Sequence, residues 1–189
     1  MKNILLLLVG FTVGINAIAQ PTLTAATGNP VVGNVFYGHD QADTTGISKG
    51  ASGAGVIWNL AFLDTTTTDT TLYLACAGTP YCDSFPGSTL AIFEGEGYYL
   101  YFIADASEFA ISGQGEPDTG AGGGGCLYYP VPQSLFNYPT TYGSVYADSF
   151  YSDQPVGHNY SYGIDSFIAD AYGTLILPSG TYNNVLRCT

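Results

Sequence analysis

The stretch Gly173–Arg187, GTLILPSGTYNNVLR, decides the fold class. Residues 174–177 are β-branched or apolar and end in turn residues, which is typical of a short strand. Pro178 sets φ at about −65° for a turn, and Gly180 can adopt the positive φ that closes a three-residue hairpin loop. Residues 181–187 then return as the partner strand. The stretch therefore predicts an antiparallel hairpin against which earlier strands pack.

The rest of the chain repeats this pattern of short strands and turns, and no window shows the apolar spacing of a helix. Candidate strands cover residues 35–37, 56–63, 72–75, 89–93, 98–104, 109–111, 127–131, 144–151 and 158–169. The sixteen Tyr suit such a fold, because a ring can cover a sheet while its hydroxyl stays hydrated. We predict a single all-β domain over residues 20–189, an antiparallel β-sandwich or, alternatively, a partly open β-barrel.

Residues 1–19 have the features of a secretory signal peptide. Lys2 supplies the positive end, residues 4–13 are mostly apolar, and Ala17-Ile18-Ala19 is an A-x-A cleavage site. The apolar run is too short to span a bilayer. The residue directly after the cleavage site is Gln20 rather than Cys, which argues against a lipid anchor on the new N-terminus. We expect an exported, soluble protein that begins at Gln20.

The charge of the chain excludes two classes of partner. Without residues 1–19, Lys49 and Arg187 face fifteen acidic residues, a formal charge of 2 − 15 = −13. Nucleic acids and anionic lipid headgroups repel such a surface. The acidic residues either form a surface without a specific ligand or bind a cation. Ca²⁺ is the most plausible cation, with ligands from Asp40, Asp43, Glu116 or Asp118 in Gly-rich loops. None of these residues forms a D-x-D-x-D-G loop, so Ca²⁺ is a weak expectation.

Four cysteines, Cys76, Cys82, Cys126 and Cys188, lie in a chain predicted to be exported, where disulfides persist. Three pairings are possible. We favour Cys76–Cys82, which closes a short loop, and Cys126–Cys188, which ties the Gly-rich segment to the last strand. No C-x-x-C spacing occurs, which argues against zinc.

Candidate catalytic residues are few. Ser48 lies in a G-x-S-x-G pattern, but a nucleophile elbow needs a helix after the Ser, and the following Gly-rich residues will not form one. Glu94 and Glu96 could be paired carboxylates of a glycoside hydrolase, although Gly95 and Gly97 favour a solvated turn.

The two histidines are the other candidates. His39 with Asp40 and Asp43, or His158 with a distant Ser and Asp, could be a general base with its orienting carboxylate. Both lie in loop-like contexts, which favours surface placement. We predict no catalytic residue.

The hairpin resembles a known group of proteins. Gly173–Arg187 is similar to the stretch G-T-L-x-L-P-x-G-T-Y-x-N-V-L-R of secreted β-rich proteins of the Bacteroidota, which often carry a C-terminal sorting domain for type IX secretion. Residues 53–60 and 142–150 resemble two further segments in the same order, with Asn59 and Cys188 departing from the pattern. The resemblance implies an extracellular or cell-surface module of mostly unassigned activity. Those proteins continue beyond the position of Thr189, so it implies either a truncated piece or a short released form.

Three Asp-Thr-Thr sequences resemble O-glycosylation sites of exported Bacteroidota proteins. Their acceptors would be Thr44, Thr65 and Thr70, although Asp and Thr are also simply common in loops.

We expect a non-enzymatic surface module for adhesion, interaction or glycan contact, with a glycan or a cell-surface protein as partner. The alternatives are an exported carboxylate-dependent glycoside hydrolase and a structural fragment of a larger surface protein. A flat patch lined by Tyr would favour binding, and a cleft with two convergent carboxylates would favour the enzyme.

Overall fold

The computed structural model describes residues 20–41, 45–63, 65–117, 125–154 and 159–189. The predicted signal peptide therefore lies outside the described residues. Within them the chain forms twelve strands, a four-residue helix and one turn of 3-10 helix at Cys82–Ser84. The elements are β1 (Thr22–Leu23), α1 (Ala25–Gly28), β2 (Val35–Gln41), β3 (Gly53–Asn59), β4 (Thr65–Ala75), β5 (Leu90–Gly95), β6 (Tyr98–Ala104), β7 (Glu108–Glu116), β8 (Gly125–Asn137), β9 (Thr140–Thr141), β10 (Val145–Gln154), β11 (Asn159–Leu177) and β12 (Gly180–Cys188).

The predicted C-terminal hairpin is confirmed. β11 and β12 pair antiparallel, and Leu177 lies opposite Gly180. The loop therefore holds only Pro178 and Ser179, so the expected three-residue loop is wrong by one residue. Gly180 has the positive φ that we predicted, +151°. A register shift follows near Asn184, which has a φ of +57°.

The described strands form an all-β fold that is not closed into a barrel and is consistent with the predicted sandwich. The main sheet has the strand order β12-β11-β10-β8-β7-β6-β5-β4-β2, and β3 also pairs with β11. β11 has different partners along its length. Residues 159–168 pair with β10, whereas residues 169–177 lie between β12 and β3. A strand that changes partners midway in this manner is typical of sandwich corners.

One strand pair departs from the antiparallel prediction. β3 runs parallel to the second half of β11, with Trp58 beside Leu175. The two backbones approach closely at Gly173, where a Cβ would collide with the backbone of Val56. A Gly is needed at this position because any side chain would separate the two strands.

The first core cluster lies on one face of the central strands. It contains Cys76, Phe85, Ala91 and Tyr101, all buried. The rings of Phe85 and Tyr101 stack with their centroids 4.6 Å apart. The segment at 76–88 covers this face, and Gly113 leaves the space that the Phe85 ring occupies.

The second core cluster lies on the opposite face. Leu90, Phe102 and Phe109 are its buried members, and the rings of Phe102 and Phe109 stack at 4.9 Å. Adjacent residues of one strand, such as Leu90 and Ala91 of β5, thus serve different clusters, as the period of two in a strand requires. A sheet buried on both faces is what the two-sided apolar content of these strands indicates.

One predicted disulfide is confirmed and the other is wrong. Cys76 and Cys82 are bonded, whereas Cys126 and Cys188 are free. Cys126 lies near the start of β8, and Cys188 lines a cavity together with Phe136 near the end of that strand. The ten residues from Cys126 to Phe136 span roughly 30 Å, far beyond the separation of about 7 Å that a disulfide tolerates.

Two segments expected to be loops continue as strands. β2 runs through Gly38 to Gln41, and β7 runs on to Glu116. Both are paired along their length, which overrides the weak strand preference of their Gly and Asp residues. Among the described residues, no helix is long and apolar enough to cross a membrane.

Candidate interaction surface

The strand pair β10–β11 carries the most distinctive surface of the described chain. Its residues alternate in character, and the register from Val145↔Ile168 to Gln154↔Asn159 holds for ten pairs without a shift. Residues directly opposite each other in an antiparallel pair project to the same face. The register therefore determines which side chains of the two strands share a face.

One face of this pair is apolar and open to solvent. We call Val145, Tyr160, Tyr162, Ile164 and Ile168 the apolar face. All five are exposed, with 85% of Tyr162, 75% of Ile164 and 69% of Tyr160 accessible. Four of them lie at alternate positions of β11, where only the exposed Ser166 interrupts the series, and Val145 lies opposite Ile168. Scattered apolar residues are normal on a protein surface, but several exposed on one face of one strand pair are typical of an interaction site.

The other face of the same strands is less exposed, since apart from Ser161 its described side chains are half-buried or buried. The ring centroid of Phe167 lies 5.1 Å from that of Tyr146 and 6.2 Å from that of Phe136. The ring of Phe150 occupies the space over Gly163. This second face carries both polar and aromatic side chains, and Asp165 on it is half-buried. The more apolar face is thus the one exposed to water, which is the reverse of the usual arrangement.

The apolar face continues across β10 toward β8, where Tyr151 lies between Tyr162 and Val131. Val131 is also exposed. At the same end, Asp153 lies opposite Tyr160. The surface therefore combines aromatic and aliphatic side chains with an acidic group at its margin.

Two carboxylates lie directly opposite each other on the inward face. Asp148 pairs in register with Asp165. Asp165 accepts a hydrogen bond from the side-chain amide of Gln133 at 2.8 Å, and Asp148 accepts one from the backbone N–H of Ser149 at 3.0 Å. Opposed side chains stand about 4.5–5.5 Å apart at Cβ. Retaining glycosidases also use two neighbouring carboxylates.

The residues that the sequence singled out as catalytic candidates lie elsewhere. Ser48 precedes β3 in an irregular exposed segment and accepts a hydrogen bond from the N–H of Gly50 at 3.2 Å. A strand rather than a helix follows it, so it is not part of a nucleophile elbow. Glu94 is exposed near the end of β5, and Glu96 is exposed in the β5–β6 turn with a φ of +50°. The interpretation of these two acids as a solvated turn is confirmed.

The structure describes only part of the histidine and calcium candidates. The backbone of His39 and Asp40 belongs to β2, and Glu116 ends β7. His158, Asp43 and Asp118 lie outside the described residues. Across the ranges that the structure describes, no three His, Cys, Asp or Glu residues are grouped as metal ligands.

Two of the three candidate glycosylation sites lie in β4. Thr44 is outside the described residues, and Thr65 pairs with Gln41 at the start of β4. Thr70 is exposed and lies opposite Tyr37. Their modification stays a prediction.

Sequence reasoning missed the apolar face, although its alternation is visible in YSYGIDSFI at 160–168. Alternation shows that a strand has two different faces, and the apolar one is ordinarily taken to be buried. No protein-family model, curated protein or solved structure matches this chain. The surface chemistry of the fold is therefore the basis of the functional proposal.

Proposed function

We propose that the chain is a secreted or cell-surface β-sandwich module that binds a partner protein through the apolar face of β10–β11. The observation that carries this proposal is the exposure of Tyr162 and Ile164 on a strand whose opposite face is largely half-buried. Export is supported by the leader-like residues 1–19, the hairpin resemblance, and a disulfide, which persists in oxidising compartments.

The energetics favour a covered state of this face. Burying one large apolar side chain is worth about 1.5–3 kcal/mol. Tyr160 and Tyr162 add ring surface with little side-chain entropy to lose, which is why Tyr is enriched at interfaces. A flat surface of this kind suits a partner that presents a complementary flat patch.

The charge of the chain indicates the chemistry of that partner. The formal charge of residues 20–189 is −13, and Asp153 stands at the margin of the apolar face beside Tyr160. A partner with an apolar centre and Lys or Arg at its rim would be steered toward this surface. Ile164, Ile168 and Val145 favour a protein over a glycan, because sugars stack on aromatic rather than aliphatic side chains.

Site-specific photocrosslinking on cells that express the protein tests this proposal. A photoreactive phenylalanine analogue replaces Tyr162 in one variant and Tyr182, an exposed residue of β12, in the matched control. We expect a discrete protein adduct from position 162 and none from position 182. Ile164→Asp should abolish the adduct while circular dichroism shows an unchanged β fold.

Other results would contradict the proposal. Identical adducts from both positions would indicate non-specific contact. An adduct that disappears after glycosidase treatment would show that the partner at this face is a glycan.

A second candidate function follows from the opposed pair Asp148 and Asp165. Two carboxylates on adjacent strands could act as nucleophile and acid in a retaining glycoside hydrolase. Release of nitrophenol from aryl glycosides, lost in both Asp148→Asn and Asp165→Asn, would support it. The absence of turnover by the unmodified protein would contradict it.

A further inference from the structure

A cavity of about 370 Å³ lies on a different part of the molecule, among β3, β11, β12 and the segment before β3. Its apolar wall is formed by Ile47, Trp58, Leu60, Leu175, Val185 and Leu186. This volume is at the small end of the range for ligand-binding sites, which is about 300–1,000 Å³. It is separate from the apolar face, with which it shares no residue.

Both basic residues outside the predicted leader, Lys49 and Arg187, line this cavity. In a chain with fifteen acidic residues, their meeting at one apolar cavity is unusual. Arg187 is already engaged, because it pairs with Asp170 and donates to the carbonyl oxygen of Lys49. Its guanidinium also lies 5.4 Å from the centroid of the Trp58 ring.

Lys49, by contrast, is exposed and belongs to no ion pair formed within the described part of the chain. Its ammonium is a strongly hydrated point charge on a long stem and can reach across the rim of a cavity. It is therefore the cation at this cavity that is available to a ligand.

Trp58 adds an independent observation. Only 9% of this residue is accessible, and its buried indole N–H has no hydrogen-bond acceptor among the residues described. Buried Trp side chains ordinarily bond this group, and leaving it unpaired has a cost. A ligand that brings an acceptor to the indole would remove that cost.

We propose that the cavity binds a small apolar molecule with a single anionic group, of the kind represented by a medium-chain carboxylate. The alkyl part lies against the Leu and Ile side chains, and the carboxylate faces the Lys49 ammonium and accepts from the Trp58 N–H. The acidic remainder of the protein disfavours polyanions, which limits the ligand to one charged group.

Trp58 makes the test direct, because it is the only Trp of the chain and its fluorescence reports this cavity alone. The protein is titrated with octanoate, octanol and octylamine, each below its micellar range. We expect octanoate to quench or shift the Trp58 emission in a saturable manner. The affinity for octanol should be lower by about tenfold or more, and octylamine should not bind.

Two pairs of variants examine the assigned contacts. Lys49→Gln should lower the affinity for octanoate by about tenfold and leave the affinity for octanol unchanged, since it removes only the charge contact. Ala106→Asp, at an exposed position of the β6–β7 turn, makes the same change in net charge elsewhere and should leave both unchanged. Ile47→Ser should weaken both ligands, whereas Ile57→Ser, at an exposed position that does not line the cavity, should not.

Equilibrium dialysis with labelled octanoate measures the stoichiometry, for which we expect one site per chain. Absence of saturable binding would overturn the proposal, as would equal affinity for octanoate and octylamine. An affinity for octanoate that Lys49→Gln leaves intact would overturn the assignment of the anionic group to this residue.

Discussion

Arg187 of β12 holds Asp170 of β11 through two parallel hydrogen bonds. Nε donates to Oδ1 and Nη2 to Oδ2, both at 2.8 Å. Only 14% and 17% of the two side chains are accessible, and the same guanidinium lies over Trp58 of β3. One cation therefore joins the three strands around the cavity. Bidentate pairs of this geometry are the strong form of the interaction.

This pair predicts a pH-dependent stability. The hydrogen bonds from Arg187 hold the pKa of Asp170 below its ordinary value. The ionised Asp170 therefore contributes its full share to the free energy of unfolding above the pKa of an unfolded Asp, about 3.9. This contribution is lost as the pH falls through the lower pKa of Asp170 in the folded protein. Asp170→Asn should lower the free energy of unfolding at about pH 7, and the difference from the unmodified protein should shrink below about pH 3.

Urea unfolding at the two pH values measures this difference. Asp69→Asn, at an exposed position of β4, is the matched control and should have little effect at either pH. A deficit of Asp170→Asn that is equally large in acid would show that its cause is packing rather than ionisation.

The contact of Gly173 with Val56 predicts a large effect from a single methyl group. Gly173→Ala places a Cβ against the Val56 backbone, so β3 must separate from β11, at a cost of about 1–3 kcal/mol. Gly38→Ala is the matched control, because its Cβ would meet nothing nearer than 3.8 Å. Thermal unfolding should show a clear loss for the first and a neutral or slightly positive change for the second. Equal behaviour of the two variants would contradict the parallel pairing of β3.

The cysteines predict a specific thiol count. Alkylation of the unfolded protein should find two free thiols, Cys126 and Cys188, and non-reducing peptide mapping should link Cys76 to Cys82. Burial raises the pKa of the Cys188 thiol, so its alkylation in the folded state should be slow at neutral pH. Cys76→Ser should cost about 2 kcal/mol, as expected for a short closed loop. A peptide linking Cys126 to Cys188 would overturn the fold around β8 and β12.

The opposed acids predict a stabilising substitution. Like charges directly across a strand pair repel, and Asp148→Asn removes one of them while its side-chain oxygen can still accept from Ser149. We expect a gain of up to about 1 kcal/mol that diminishes at high salt, because the repulsion is screened. Asp69→Asn again serves as the control, since it lies opposite Gly38 rather than an acid. A loss of stability in Asp148→Asn would show that the charge has a structural role.

Much of the local structure was readable in the residues. Turn chemistry predicted the β11–β12 hairpin and the positive φ of Gly180. The short spacing of Cys76 and Cys82 predicted their bond, since few alternative geometries exist over six residues. Cys126 and Cys188 offered no such restraint, because their separation depends on the path of every strand between them.

The sequence by itself determined that this protein is built from short strands. It also determined that Tyr and Ile predominate on one face of β11, and that the other face carries Ser, Gly, Asp and Phe. This follows from a backbone property, the period of two, which needs no neighbours. Only the tertiary structure decided which face is covered, that β3 joins β11 in parallel, and that Lys49, Trp58 and Arg187 meet at one cavity. The reason is that burial and charge proximity arise between residues distant in the chain, so they depend on which strands pack together.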